Sequence, residues 1–425
     1  MSSLQERKID RVGESYFETR HSSGLKIFIY PKPQSHSAYA VFGTNYGSID
    51  NAFRRADEQE VTRVPNGIAH FLEHKMFENE DGVDTFARYA KTGANANAYT
   101  TFDKTCYLFS CSGHVYDSLQ ILLDFVQKPY FTKQTVQKEQ GIIGQEIRMY
   151  DDDPSWQVLF NMLGGMYHTH PVKLDIAGST DSIAKITPEL LYECHHTFYN
   201  LNNMALCVVG NVEPDKVLAV CDKMLRPCEK VQVQRYFDPE PQSIVKPRVC
   251  AKGSVATPVF YYGFKEDAAV RATTREAAQT EILLQAISGD ASALFRRLLD
   301  AGLINESSFD SEYFEGPGYA NVLFSGESKD ADAVAAEIQK EIASVRKNGL
   351  SSEQFENAKK SVYGRTVSGF NSVENLANGI IGAYFAGRSL AEDVEAIASV
   401  TEAEAEQRLQ KQMLPQNAVL SIVEP

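Results

Sequence analysis

The 425-residue chain reads as an α+β protein of two homologous domains, each a largely antiparallel sheet covered by helices on one face. Three observations predict this. First, the sequence repeats itself. Thr187-Pro-Glu-Leu-Leu-Tyr, leading to Asn203-Met-Ala-Leu-Cys-Val-Val209, is matched by Thr401-Glu-Ala-Glu-Ala-Glu, leading to Asn417-Ala-Val-Leu-Ser-Ile-Val423. Thr187 and Thr401 lie 214 positions apart, as do Asn203 and Asn417. In each copy a Thr with an acid behind it opens a helix, and Asn then starts an apolar strand. Cys106-Tyr-Leu-Phe-Ser110 and Asn321-Val-Leu-Phe-Ser325 repeat at an offset of 215. Agreement in offset points to a duplicated domain. Second, strand-like and helix-like segments come in separate clusters rather than in strict alternation. Third, a polar stretch carrying Pro227, Pro239, Pro241 and Pro247 argues against a helix or a central strand there. The expected domains are therefore 1–226 and 248–425, joined by a linker at 227–247.

In the first half, Leu25-Lys-Ile-Phe-Ile-Tyr30 and Ala38-Tyr-Ala-Val-Phe-Gly43 read as strands. Segments 67–78, 82–92, 114–127 and 132–150 read as helices. The last is the best marked: Thr132 can cap it, Val136, Ile143 and Ile147 share a stripe, and Asp151-Asp152-Asp153-Pro154 ends it.

Composition narrows the function. Apolar residues make up 43 % and charged residues 23 %, the profile of a globular protein with a full core. A net charge of −14 opposes nucleic-acid binding, which needs a basic face. Seven cysteines, odd in number and without a CxxC pair, read as buried thiols in a reducing compartment. The polar N-terminus lacks the apolar core of a signal peptide, and no apolar run is long enough to span a membrane. The expectation is a cytoplasmic protein with no membrane partner.

The strongest local signal is Gly67-Ile-Ala-His70-Phe-Leu-Glu73-His74. On a helix, His70 and His74 share one face a turn apart and can clamp one metal ion. Glu73 stands beside them, able to reach a water without being a ligand. A catalytic zinc needs three protein ligands and a carboxylate to take the water's proton. All nine histidines precede residue 197, so the second half offers no imidazole. A carboxylate on a nearby helix is the natural third ligand. Glu139 and Glu146 are seven residues apart, hence on one helix face; one can ligate while the other orients a ligand.

His-x-x-Glu-His is the inverted zinc motif of the inverzincins. Around it, Gly67 to Phe77, Gly93-Ala-Asn-Ala-Asn97-Ala98-Tyr-Thr, Gly144-Gln-Glu146 through Pro154, and Asn203 to Gly210 stand in an order that resembles the pitrilysin family, which includes insulin-degrading enzyme and the mitochondrial processing peptidase. The resemblance covers most of residues 20–215. It implies one zinc ion per chain on His70, His74 and Glu146, with Glu73 activating the water and Glu139 supporting the site from behind. It also implies that Asn97 and Ala98 lie on an edge strand that pairs with an extended peptide, as an unpaired edge physically can. The chain would then form half of a clamshell enclosing short or unfolded peptides. Members that act alone usually carry an Arg and a Tyr in the second half, in a context resembling Arg-Glu-x-x-Gly-Leu-x-Tyr. The matching stretch here is Arg296-Arg297-Leu-Leu-Asp-Ala-Gly302-Leu303-Ile304-Asn305, with Asn305 at the Tyr position. That departure implies a heterodimer with a homologous partner subunit, or a homodimer with a modified site. The rival reading is a non-catalytic, core-type subunit.

Overall fold

The computed structural model describes residues 4–425. The first sheet is built from β1 (Gln5–Ile9), β2 (Glu14–Arg20), β3 (Lys26–Pro31) and β4 (Ala38–Thr44) and, after the short β5 (Ala52–Arg55) and β6 (Thr62–Arg63), from β7 (Asn95–Thr100), β8 (Thr105–Cys111) and β9 (Met204–Gly210). Its order is β1-β2-β3-β9-β4-β8-β7, and only the β3·β9 pair is parallel. Every residue of β4 and β9 is buried, which fits their apolar sequences and central places. β7 lies at the edge. β10 (Val233–Arg235), inside the Pro-bearing linker, is an edge strand of a small sheet with β5 and β6, so the linker carries no central strand.

The second sheet comprises β11 (Arg248–Lys252), β12 (Val259–Lys265), β13 (Asp310–Gly316), β14 (Tyr319–Glu327) and β15 (Ala418–Glu424), in the order β11-β15-β12-β14-β13. Its one parallel pair is β11·β15. That order repeats β3-β9-β4-β8-β7 strand for strand, and β9 and β15 are the strands opened by Asn203 and Asn417. The duplication read from short sequence matches is therefore a duplication of topology. One face of this sheet, presenting Phe260, Tyr262, Phe264, Val322, Phe324, Leu420 and Ile422, builds a core with Ile282, Leu298 and Ile338 from its helix layer.

The chain divides into two compact units, but not by a single cut. One comprises the chain up to Ile147 with 175–236 and 368–391; the other comprises 148–174, 237–367 and 392–425. This differs from the expected boundaries of 1–226 and 248–425. Each unit takes a helix from the other half of the sequence. Helix Val373–Phe385 packs on β4 and β9, where a side chain at Gly43 would meet Ile381 and Phe385. Helix Pro154–Met166 packs on β12 and β15, where one at Gly263 would meet Met162 and Met166. The helix layer expected on one face of each sheet is present, and the exchanged helix lies against the opposite face. The reason is compositional. Both exchanged helices are rich in apolar residues, and each buries such residues, Met162 and Met166 in one and Ile380 and Ile381 in the other.

At the end of β12, Lys265 is enclosed, with its side chain 3 % exposed. Its ammonium donates to Glu240 Oε1 at 2.5 Å and to the carbonyl oxygens of Met166, Pro241 and Ser243. Glu240 also accepts the backbone N–H groups of His168, Thr169 and His170. Burial opposes the charge on Glu240, but these donors outweigh it and hold its pKa at about 2. Burial draws Lys265 below the ordinary amine value despite Glu240, and the Lys265 ammonium leads the donors that hold the Glu240 carboxylate down. Removing one partner of a buried pair leaves the other charge stranded. Lys265→Ala should therefore destabilise the protein by about 3–5 kcal/mol, read as a lowered denaturant midpoint. A carboxyl with a depressed folded pKa stabilises above its ordinary value of 4.5 and loses that contribution as the pH falls to about 2. The deficit of the variant should shrink across the same window.

Candidate metal centre

The His70 helix runs from Ile68 to Lys75. Gly67, its N-cap, has φ 87°, and a Cβ there would lie 2.3 Å from the Ala177 carbonyl oxygen, so the entry to the helix requires glycine on both counts. Phe71 and Leu72 are fully buried and anchor the helix in the core. The helix spacing then puts His70 and His74 side by side, with ring centroids 4.6 Å apart. The second helix, Lys133–Asp151, starts behind Thr132, whose hydroxyl accepts the Thr135 N–H. It buries Val136, Ile143 and Ile147, and that packing directs Glu139 and Glu146 to the histidines.

The structure brings His70, His74 and Glu146 together. One ligand atom from each lies within 4.8 Å of the others, and among the described residues this is the group of His, Cys, Asp and Glu able to hold a metal ion. Glu146 Oε1 is 3.6 Å from His70 Nε2, and Oε2 is 3.5 Å from His74 Nε2. Glu139 is buried, and its Oε1 lies 3.0 Å from His74 Nδ1. A carboxylate only accepts, so His74 donates from Nδ1 and presents the Nε2 lone pair to the group. Of the two carboxylates, Glu146 faces both Nε2 atoms, and Glu139 meets the Nδ1 side of the His74 ring. Burial opposes a proton on His74, but the hydrogen bond to Glu139 and the Glu146 and Glu73 carboxylates outweigh it and raise its pKa. Three carboxylates around two imidazoles form a negative pocket that suits a divalent cation, and mixed imidazole and carboxylate donors suit zinc.

Glu73 sits on the same helical turn, 8 % exposed, and burial raises its pKa above the ordinary carboxylate value. Its Oε2 accepts the Thr100 hydroxyl at 2.5 Å. Sequence reasoning passed over Thr100; a hydroxyl at the end of a strand carries no periodic or motif signal. Asn97 and Ala98 lie on β7 and pair with Leu108 and Tyr107 of β8, and among the described residues no strand pairs with the other edge of β7. Tyr99 between them and Thr100 donates to Asn378 Oδ1 at 2.8 Å, and the Asn378 amide donates to the Tyr39 hydroxyl at 3.3 Å. A helix from the distant end of the sequence thus braces β7.

In the other unit, Asn305 is exposed and donates to Glu327 at 3.1 Å. Arg297 pairs with Glu337 and Glu341, Arg296 is exposed, and Tyr319 is buried beside Phe314. The helix Thr274–Ser288, topologically equivalent to the His70 helix, carries no histidine. Five cysteines are buried thiols; Cys228 and Cys250 are exposed. Among the described residues no helix is long and apolar enough to cross a membrane.

A duplicated α+β fold with an inverted His-x-x-Glu-His motif and a carboxylate converging from a second helix defines a class of metallopeptidase-like proteins. Residues 59–180 match the family described as Insulinase (Peptidase family M16), and residues 185–362 match the Peptidase M16 inactive domain. The chain is 36 % identical to the uncharacterized zinc protease YmfH of Bacillus subtilis, covering 98 % of both sequences. It is 34 % identical to an M16-like peptidase of Alicyclobacillus acidocaldarius, whose crystal structure superposes with a TM-score of 0.92 over 99 % of this chain and 98 % of that one. Pitrilysin, at 16 % identity and a TM-score of 0.76, shares the fold; this chain is covered completely and pitrilysin to 47 %. The chain belongs to peptidase family M16.

Proposed function

We propose that this chain is a zinc-dependent endopeptidase that hydrolyses short or unfolded peptides, with His70, His74 and Glu146 holding the metal and Glu73 as general base. The observation that carries the reading is the convergence of three ligand atoms within 4.8 Å beside a buried carboxylate that is not one of them. A zinc ion bound there supplies a Lewis acid that acidifies water and polarises a carbonyl oxygen. Glu73 takes the proton of the attacking water and later delivers it to the leaving amine. Glu139 keeps His74 in the tautomer that presents Nε2. Asn97 and Ala98 hold the peptide backbone extended along the open edge of β7, with selectivity left to side-chain pockets. Selection of short or unfolded substrates follows from the closed chamber that two such chains form, which an extended peptide can enter and a folded protein cannot.

The chain works as one half of a clamshell whose other half is a homologous chain, either a related subunit or a second copy. Pitrilysin, about twice as long and covered to 47 %, supports a two-chain chamber. Asn305, where a Tyr is expected, supports a related subunit that supplies the missing group.

The test is metal removal. The purified protein should contain about one zinc per chain, and its active assembly should cleave an unstructured peptide. A chelator should abolish cleavage, and added zinc should restore it. Cleavage that persists at full rate in metal-free protein would sink the reading. The assay is run on the chain alone and with a homologous subunit; a gain on mixing marks the heterodimer.

A further inference from the structure

We propose that Thr100 is the positioning residue that orients Glu73 for proton transfer; this rests on the peptidase reading above. The hydrogens available to these hydroxyl groups can be counted. A threonine hydroxyl has one to donate. Two acceptors compete for that of Thr100: Glu73 Oε2 at 2.5 Å and Thr105 Oγ1 at 3.3 Å. Thr105 places its own hydrogen on the Tyr46 carbonyl oxygen at 2.9 Å, deep in the core. The Thr105 hydroxyl is thereby fixed, and the much shorter contact claims the hydrogen of Thr100 for Glu73. A carboxylate has no hydrogen to return, so the direction of this bond is settled by chemistry.

The consequence falls on the other oxygen. With Oε2 pinned, Glu73 presents Oε1 to receive the proton of the attacking water. Without the pin, a nearly buried carboxylate would turn about its last torsion, which is broad for sp² ends. Thr100 is also the last residue of β7, the strand that carries Asn97 and Ala98. Tyr99, one residue back, is held by Asn378. One braced strand therefore sets both the line of the peptide backbone and the angle of the base. Peptide pairing along β7 and proton transfer by Glu73 share a rigid reference.

A threonine that only fills a structural niche would behave differently, and three variants separate the roles in the assembly that shows activity. Thr100→Val keeps the shape and removes the hydroxyl. Thr100→Ser keeps the hydroxyl. Glu73→Gln serves as the reference. The Val variant should lose about 10²-fold in kcat, the scale of a misplaced catalytic group, with KM changed less than about twofold. Zinc content should stay at the wild-type value, and the melting temperature should fall by no more than one lost hydrogen bond accounts for. The Ser variant should retain kcat within about threefold. Should the Val variant prove unstable, Thr100→Ala offers the same loss of hydroxyl in a smaller side chain. The inference is overturned if a folded variant without the hydroxyl keeps wild-type kcat while Glu73→Gln is inactive. It is equally overturned if Ser fails to rescue. If Glu73→Gln itself cleaves at the wild-type rate, the peptidase reading fails, and the role of Thr100 fails with it.

Discussion

Glu73→Gln is expected to bind zinc as the wild type does and to lose about 10³-fold or more in kcat. The two side chains are almost the same size, so the packing around Phe71 and Leu72 is undisturbed. The amide oxygen can still accept the Thr100 hydroxyl, which preserves the local hydrogen bond. What disappears is basicity: a carboxamide cannot take a proton from water near neutral pH. Because the three converging ligand atoms come from His70, His74 and Glu146, metal content should be untouched. Metal analysis and peptide hydrolysis measured on one preparation separate the two roles. Loss of zinc together with activity would move Glu73 from base to ligand. Full activity would remove it from the chemistry.

Glu146→Ala should instead lose the metal. Two imidazoles one turn apart remain, but a catalytic zinc site is built from three protein ligands. Changes behind the ligands typically cost about 10- to 100-fold in metal affinity or activity, so removing a ligand outright should cost more than about 100-fold. Competition against a coloured chelator reads the affinity, and circular dichroism checks the fold. Glu139→Gln is the internal comparison. It leaves all three ligands and weakens only the hold on His74 Nδ1, so it should fall inside the 10- to 100-fold range. Equal losses for the two variants would contradict the division of labour between the two carboxylates.

Much of this site could be read from residue order because its parts are local. The pair His70 and His74 needs only the pitch of a helix, and Glu139 with Glu146 needs two turns of another. Helix limits followed from Thr132 at one end and Asp153-Pro154 at the other. The meeting of the two helices is a long-range event; the sequence supplied it through the lack of histidines after residue 197 and through family resemblance. Thr100 was invisible for a related reason. Its partner lies across a strand–helix contact, and neither periodicity nor composition marks a hydrogen bond between elements. The unit boundaries show a different limit. Prolines from Pro227 to Pro247 mark where the chain changes sheets. They carry no information about two apolar helices that leave their own half, one of them burying Leu376, Ala377, Ile380 and Ile381.

That exchange bears on how the polypeptide is made. The sheet beside the His70 helix is covered by Val373–Phe385, which leaves the ribosome well after the last strand of that sheet, Met204–Gly210. Until then the face of β4 and β9 that this helix covers in the finished protein lacks that cover. A gene fragment ending in the linker would encode a sticky intermediate rather than a module. Each of the two repeated sheets therefore draws one of its covering helices from the other half of the sequence.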